Sequence, residues 1–321
     1  MKAIVFDDTL RYIEDQPLPE LNRPDEAIIR IRIAGICNTD LEIIKGYMGF
    51  KGIPGHEFVG IVEKADERNK SFINKRVVGE INCVCGVCDY CIGGLSRHCP
   101  QRTTLGISGR DGAFAEYLAL PVENLHDVPD NVSDEEAVFT EPLAAAFEIL
   151  EQVNVKPTDK IIVLGDGKLG LLCAFVLALT GTEITLAGNH ERKLAIAREA
   201  GIAAYPANDL PGGKKYDVVV EATGTPAGLE SALELVRPRG TIVLKSTVAS
   251  TREVDLNRIV IDEITLLGSR CGPFEPALRA LSDKTINVKP LISGIFPAGK
   301  ALDAFAAAGQ KGSLKVLIDF R

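Results

Sequence analysis

Four cysteines, Cys85, Cys88, Cys91 and Cys99, stand at C-x2-C-x2-C-x7-C. Thiolates at this spacing match a closed tetrahedral zinc site, which would hold together a lobe (83–100) with little core of its own. An iron–sulfur cluster fits the spacing less well. Cys83 lies too close to Cys85 to be a regular member, and His98 reads as a solvated neighbour of Cys99. The chain has eight cysteines, five of them from Cys83 to Cys99, with Cys37, Cys173 and Cys271 elsewhere. A disulfide framework would spread them differently and would need an oxidising compartment. A second, scattered set is Cys37 in Gly35-Ile36-Cys37-Asn38-Thr39-Asp40, His56 in Gly55-His56-Glu57, and Glu141 in Thr140-Glu141-Pro142. Each has an ordinary reading too: a core thiol, a satisfied polar group and a residue at a helix break. Spacing alone leaves the choice open.

Gly165-Asp166-Gly167-Lys168-Leu169-Gly170 is G-x-G-x-x-G in the context that the motif requires, strand before and helix after. Gly165 permits the tight turn, Gly167 lets the backbone approach a pyrophosphate, and Gly170 lets helix and strand pack closely. The helix N-terminus offers amide hydrogens to phosphates. Asp166, an acid beside a pyrophosphate, is expected to point outward. The end of the next strand chooses between the two nicotinamide dinucleotides. An NAD site places Asp or Glu there, for the ribose hydroxyls. This chain has Gly188, followed by Asn189, His190, Glu191 and Arg192. The glycine is read as leaving room for a 2′-phosphate held by Asn189, His190 and Arg192. That favours NADP, with NAD the alternative. In the plainer reading Asn189 caps the helix and Arg192 is solvated.

The elements that must position these residues fall into two regions. Residues 1–150 look β-rich, with strands at Ala27–Ala34, Gly55–Val62, Val77–Ile81 and Ala113–Leu120 and heavy glycine and proline punctuation. Ser133, with Glu136 three places on, reads as a capping box. The helix it opens is expected to break at Glu141-Pro142 and to resume over 143–153. From 160 to 268 strands and helices alternate: Lys160–Leu164, Leu169–Thr180, Glu183–Ala187, His190–Ala200, Tyr216–Glu221, Ala227–Val236, Gly240–Lys245, Thr265–Gly268. This rhythm implies an α/β fold, a parallel sheet covered on both faces. Helices at Ala277–Leu281 and Lys300–Gly309 and a strand at Lys315–Phe320 follow.

A length of 321 residues suggests about two domains. A net charge of −8 argues against a nucleic-acid partner, which needs a basic face. No apolar run approaches the roughly 20 residues that cross a bilayer, and the start does not read as a signal peptide. The expected location is the cytoplasm.

Together, Gly-Ile-Cys37-x-Thr39-Asp40, Gly55-His56-Glu57, the four-cysteine lobe, Glu141-Pro142 and the Gly165–Gly170 loop resemble the medium-chain, zinc-dependent alcohol dehydrogenase family. They come in the family's order and cover almost the whole chain. The resemblance implies a GroES-like catalytic domain (1–150 and 286–321) and a Rossmann, doubly wound cofactor domain (151–285). It implies that Cys37, His56 and Glu141 hold a catalytic zinc, with Glu57 behind the metal as an alternative ligand. Glu141 in place of a cysteine resembles the sorbitol, threonine and glucose dehydrogenases. Asp40 would orient a ligand, and Thr39 would touch the alcohol oxygen and pass its proton. Thr223-Gly224, Lys245-Ser246 and Ser269-Arg270 would line the nicotinamide half, and Lys315 would reach the cofactor pyrophosphate.

The implied reaction is hydride transfer between an alcohol and the nicotinamide, giving an aldehyde or ketone. The alternative is a polyol, sugar or threonine dehydrogenase, and more remote readings are a non-catalytic nucleotide-binding protein or a zinc-free reductase. Tyr47, Met48, Phe50 and Leu105 would make the substrate pocket partly apolar; Arg110, Asp111 and Arg270 would make it partly polar. A homodimer or homotetramer is implied, with Thr265–Gly268 a candidate edge strand.

Overall fold

Lys160–Leu164 is apolar after its first residue and buried from Ile161 to Leu164, as a central parallel strand must be. In the computed structural model, which describes residues 1–321 except 22, 211–214 and 248–253, it lies at the middle of a six-stranded sheet. The chain divides into two compact units, Met1–Glu141 with Leu278–Arg321, and Pro142–Ala277.

Within the second unit we label the elements β1 (Lys160–Leu164), α1 (Lys168–Ala178), β2 (Glu183–Gly188), α2 (Glu191–Glu199), β3 (Ala203–Pro206), β4 (Tyr216–Glu221), α3 (Gly228–Leu235), β5 (Val236–Leu244) and β6 (Thr265–Gly268). The sheet runs β3-β2-β1-β4-β5-β6 with every pair parallel. Strand order reverses between β1 and β4, and a ligand crevice opens outside the carboxyl ends of the strands at such a point. Helix α1 is buried from Gly170 to Leu177, so it is a core helix rather than an amphipathic one. Gly170 is required by packing: a Cβ there would lie 1.9 Å from the Gly165 carbonyl oxygen.

The first unit is built on a seven-stranded sheet, in the order Leu125–Asp127, Arg76–Gly79, Glu57–Ala65, Glu26–Ile36, Lys315–Asp319, Ile292–Pro297, with Tyr117–Pro121 also paired to Glu26–Ile36. The C-terminal strand lies antiparallel to Glu26–Ile36, with Val316 opposite Ile36, while Glu57 lies opposite Gly35 on the other side. Ser133 caps Asp134–Ala137 in a capping box with Glu136, as its spacing predicts. The next helix, Thr140–Gln152, runs unbroken through Glu141-Pro142. Pro142 stands in its first turn, where no amide hydrogen is needed, so the break falls before Thr140 and not at the proline.

Candidate active site

Cys37, Glu57 and Lys315 are brought together by sheet register. Cys37 follows the long central strand directly, Glu57 begins one neighbouring strand, and Lys315 begins the other. Gly35 leaves the space they fill: a Cβ there would sit 2.8 Å from Glu57 Oε2 and 3.3 Å from Lys315 Cδ. His56 precedes Glu57 after the turn at Gly55, whose φ of +98° suits glycine and whose Cβ position is filled by the Phe114 ring, 2.8 Å away.

One ligand atom each from Cys37, His56 and Glu57 lie within 4.8 Å of one another. Glu141 is not a member of that group, though its carboxylate is close enough to favour the charged form of Lys315. Asp40 Oδ1 is 3.2 Å from His56 Nδ1, in ion-pair range but not aligned as a hydrogen bond, and both side chains are buried. Burial alone would lower the His56 imidazole, but Asp40 and then Cys37 outweigh it and raise it well above its ordinary value. With Nδ1 turned to Asp40, Nε2 remains to bind a cation. Asp40 Oδ2 accepts from the Cys37 amide at 2.7 Å, which fixes the turn carrying the thiol. Thr39 Oγ1 lies 3.9 Å from Cys37 Sγ. Glu57 Oε1 is buried without a hydrogen-bond partner. An orphaned carboxylate oxygen, a thiol and an imidazole facing one another fit a zinc ion.

Lys315 differs from its expected role. Its side chain is 0% exposed and donates to Glu57, with its ammonium 5.6 Å from the centre of the Phe139 ring. A buried ammonium paired behind the metal ligands is not at the surface to take a pyrophosphate. Arg110 and Asp111, expected to make the substrate pocket partly polar, are engaged within the protein. Arg110 donates to Glu26, Thr103 and the Ala119 carbonyl, and Asp111 accepts from the Ile53 amide. Phe50 packs in a core cluster with Phe6 and Ile43, and Leu105 is fully buried.

The four lobe thiols converge. Sulfur separations are 3.5 Å for Cys88–Cys91, 3.6 Å for Cys85–Cys99, 3.8 Å for Cys88–Cys99 and 3.9 Å for Cys85–Cys91. Sulfurs set tetrahedrally about 2.3 Å from a zinc ion are separated by roughly 3.8 Å, so the lobe fits one. The Val87 and Cys88 amides turned on the Cys85 sulfur lower its thiol to about 6. Burial, and then Cys88, push Cys91 up to about 12. Four thiols this close ionise together only when a cation shares them. Cys83 is buried apart from the group.

In the second unit a cavity of about 700 Å³ opens at the carboxyl ends of β1, β2 and β4. Gly165, Gly167, Gly188, Asn189, His190 and Thr223 line it. Lys168, Leu169, Arg192, Gly224, Lys245, Ser246, Ser269 and Arg270 do not. Lys245 is otherwise engaged: its ammonium donates to the Ala145 carbonyl, Ser269 Oγ and the Arg270 carbonyl, at 2.6, 3.1 and 3.1 Å. An ammonium has three hydrogens, so none is left for a cofactor. Ser246 Oγ accepts from the Gly224 amide and lies 3.3 Å from Glu221 Oε1, a tie between two loops. Arg192 is exposed.

Two expectations at the adenosine end are corrected. Asp166 does not point outward; it is 7% exposed and accepts from the Asn189 and His190 amides at 2.8 and 2.6 Å. Gly188 therefore leaves no vacant room, because a Cβ there would lie 2.3 Å from Asp166 Cβ. Sequence reasoning also missed Lys193 and Glu221. Lys193 lines the cavity at 7% exposure, and its place one turn into α2 could have revealed it. Glu221, fully buried, accepts from the Thr223 amide and hydroxyl at 2.9 and 2.6 Å and so shapes the loop after β4.

A β-rich unit with a Cys–His–Glu cluster, a four-thiol lobe and a parallel-sheet unit with a glycine-loop crevice define a zinc-dependent, dinucleotide-linked dehydrogenase. The model of the alcohol dehydrogenase GroES-like domain matches residues 23–130, and that of the zinc-binding dehydrogenase matches residues 169–284. The chain is 28% identical to a sorbitol dehydrogenase of Halalkalibacterium halodurans, over 95% of this chain and 94% of that one. A solved alcohol dehydrogenase of E. coli, in complex with NADH, superposes with a TM-score of 0.92 at 27% identity, covering 100% of this chain and 99% of the other. A zinc-binding dehydrogenase of Sinorhizobium meliloti bound to NADP gives 0.89 at 26%, covering 99% and 98%. The chain belongs to the medium-chain, zinc-dependent alcohol dehydrogenase family. It is an oxidoreductase that uses zinc and NAD(P) to interconvert a hydroxyl and a carbonyl on a small organic substrate. Zinc held by the Cys37 cluster would supply a Lewis acid to ease loss of a hydroxyl proton and to polarise a carbonyl. No helix among the described residues is long and apolar enough to cross a membrane.

Proposed function

We propose that this enzyme oxidises an alcohol to an aldehyde or ketone and runs the reverse reaction. The observation that carries the reading is the meeting of a half-buried Cys37 with the buried His56 and Glu57. Cys37 and His56 hold the zinc, and Glu57 and Glu141 are the two carboxylates available for a third ligand. Asp40 orients the imidazole from behind. Thr39 takes the proton of the substrate hydroxyl and passes it on, since a hydroxyl both accepts and donates. Gly165 and Gly167 of the glycine loop would hold the pyrophosphate, and the nicotinamide would supply the hydride acceptor.

Within this reaction a polyol is the favoured substrate class, in line with the similarity to a sorbitol dehydrogenase over 95% of the chain. We further infer a cytoplasmic homodimer or homotetramer without a nucleic-acid partner. Eight cysteines, none of them in a disulfide, suit a reducing compartment. The strand β6, which among the described residues pairs with β5 alone and has Leu266 41% exposed, suits pairing with a second copy.

The test is an absorbance screen on zinc-loaded protein, with NAD and NADP against simple alcohols, aromatic alcohols, polyols, aldoses and threonine. Turnover that peaks with a polyol and is lost in Cys37→Ser is expected. Absence of turnover with every alcohol would refute the reading, and a simple alcohol as best substrate would refute the polyol assignment.

A further inference from the structure

We propose that Asp166, reaching over from the glycine loop, replaces the acidic residue missing at Gly188 and makes the adenosine pocket select NAD over NADP. The inference rests on the dinucleotide reading of this cavity and deepens it. In an NAD site the strand that follows the glycine loop ends in Asp or Glu, whose carboxylate accepts from the ribose hydroxyls. Here β2 ends in Gly188, yet a carboxylate stands where a side chain at that position would be. A Cβ on Gly188 would lie 2.3 Å from Asp166 Cβ and 2.5 Å from Oδ2. The glycine and the aspartate fit each other: a larger residue at 188 would displace the carboxylate.

The donors around Asp166 set its character. Oδ2 accepts from the Asn189 and His190 amides at 2.8 and 2.6 Å, and His190 Nδ1 lies 3.1 Å from each carboxylate oxygen. Two amides donate to this carboxyl group and a ring nitrogen lies beside both of its oxygens, so it stands as the acceptor at this end of the pocket. These two amides, at the N-terminus of α2, are also the groups with which a helix end would bind a phosphate. Asp166 has taken them and put a negative charge in their place. A ribose diol can donate to that carboxylate; a 2′-phosphate can only be repelled by it.

A second observation points to a ligand here. Lys193 is 7% exposed, lines the same cavity and makes no side-chain hydrogen bond or ion pair with a described residue. His190 Nε2 is likewise buried without a partner. A carboxylate acceptor, an ammonium donor and an imidazole nitrogen around one cavity match a ribose diol, which both donates and accepts. Arg192, exposed and outside the cavity lining, is not placed to offset the charge of a phosphate.

The test is calorimetric binding of NAD and of NADP to the full chain, with no turnover involved. The unaltered protein is expected to bind NAD at least about thirtyfold more tightly than NADP. Asp166→Asn keeps the volume and removes the charge, and should lower that preference tenfold or more. Lys193→Met should weaken NAD binding and widen the preference over NADP, since it removes the cation a 2′-phosphate would use; a narrowed preference in this variant would count against the inference should Asp166→Asn fail to fold. Equal or tighter binding of NADP by the unaltered protein, or an unchanged preference in Asp166→Asn, would overturn the inference while leaving the dinucleotide site intact. Binding of neither dinucleotide would overturn the site itself.

Discussion

Replacing Lys315 by methionine should be among the most damaging single changes in the first unit. Lys315 and Glu57 are both 0% exposed and pair with each other. Methionine keeps most of the stem, so the change removes charge rather than volume. It strands Glu57 beside Cys37: Oε2 loses the ammonium, and Oε1 has no hydrogen-bond partner to begin with. Burial by itself would lower the Lys315 ammonium, but Glu57 and then Cys37 outweigh it and hold it above its ordinary value. The lysine is therefore the charged member of a group otherwise rich in negative charge. Breaking a buried pair by removing one partner costs about 3–5 kcal/mol, whereas removing both can be nearly neutral. At about 2–4 °C per kcal/mol for a unit of this size, Lys315→Met should lower the melting temperature by roughly 6–20 °C. The assay is urea and thermal unfolding followed by circular dichroism, with zinc content measured on the same samples. The Glu57→Gln, Lys315→Met double variant should recover most of the loss in metal-free protein. A single variant within about 0.5 kcal/mol of the parent would refute the argument, since only an exposed pair is worth so little.

Cys99→Ser should release the lobe zinc and lower stability by several kcal/mol while Cys37, His56 and Glu57 keep theirs. Metal analysis showing full zinc content in a stable variant would contradict this. Gly106→Ala should cost roughly 2–4 kcal/mol, because Gly106 has a φ of +64° and a Cβ would lie 2.2 Å from the Gly55 carbonyl oxygen; an unchanged melting temperature would refute that. At Glu136, burial alone would raise the carboxyl, but the Ser133 amide and Lys284 outweigh it and hold it below its ordinary 4.5. Stabilisation of this kind is complete above pH 4.5 and is lost below it, as pH falls to the lowered value of the folded carboxyl. Lys284→Met should therefore cost about 0.5–1 kcal/mol at pH 7, the ammonium being half exposed, and the difference should vanish in acid. A difference that persists at pH 2 would show that packing and not charge is responsible.

The features legible in the sequence are those whose parts lie close along the chain. The lobe cysteines span one short segment, the glycine loop is one turn, and β1, β4 and β6 have the bounds that their apolar runs predict. Ser133 and Glu136 cap a helix within a single turn. What escaped the sequence is set by register between distant strands. Lys315 meets Glu57 across 258 positions because both strands flank Glu26–Ile36, and no local pattern separates such a lysine from one on a solvated edge. Glu221 and Lys245 look like ordinary strand ends until the loops they tie are seen.

Gly188 is instructive because the motif's logic, read on one strand alone, leaves out the loop that faces it. An absent acid reads as space for a phosphate only if nothing else fills the space. The residue that fills it lies in the preceding loop, separated by 22 positions and hydrogen-bonded to the two amides that follow the glycine. Cofactor choice in this pocket therefore belongs to the pair Asp166 and Gly188. An acid placed at 188 while Asp166 remains would set two carboxylates in one space and should disrupt the pocket. Exchanging the two residues together, Asp166→Gly with Gly188→Asp, should restore an NAD site by the more usual route.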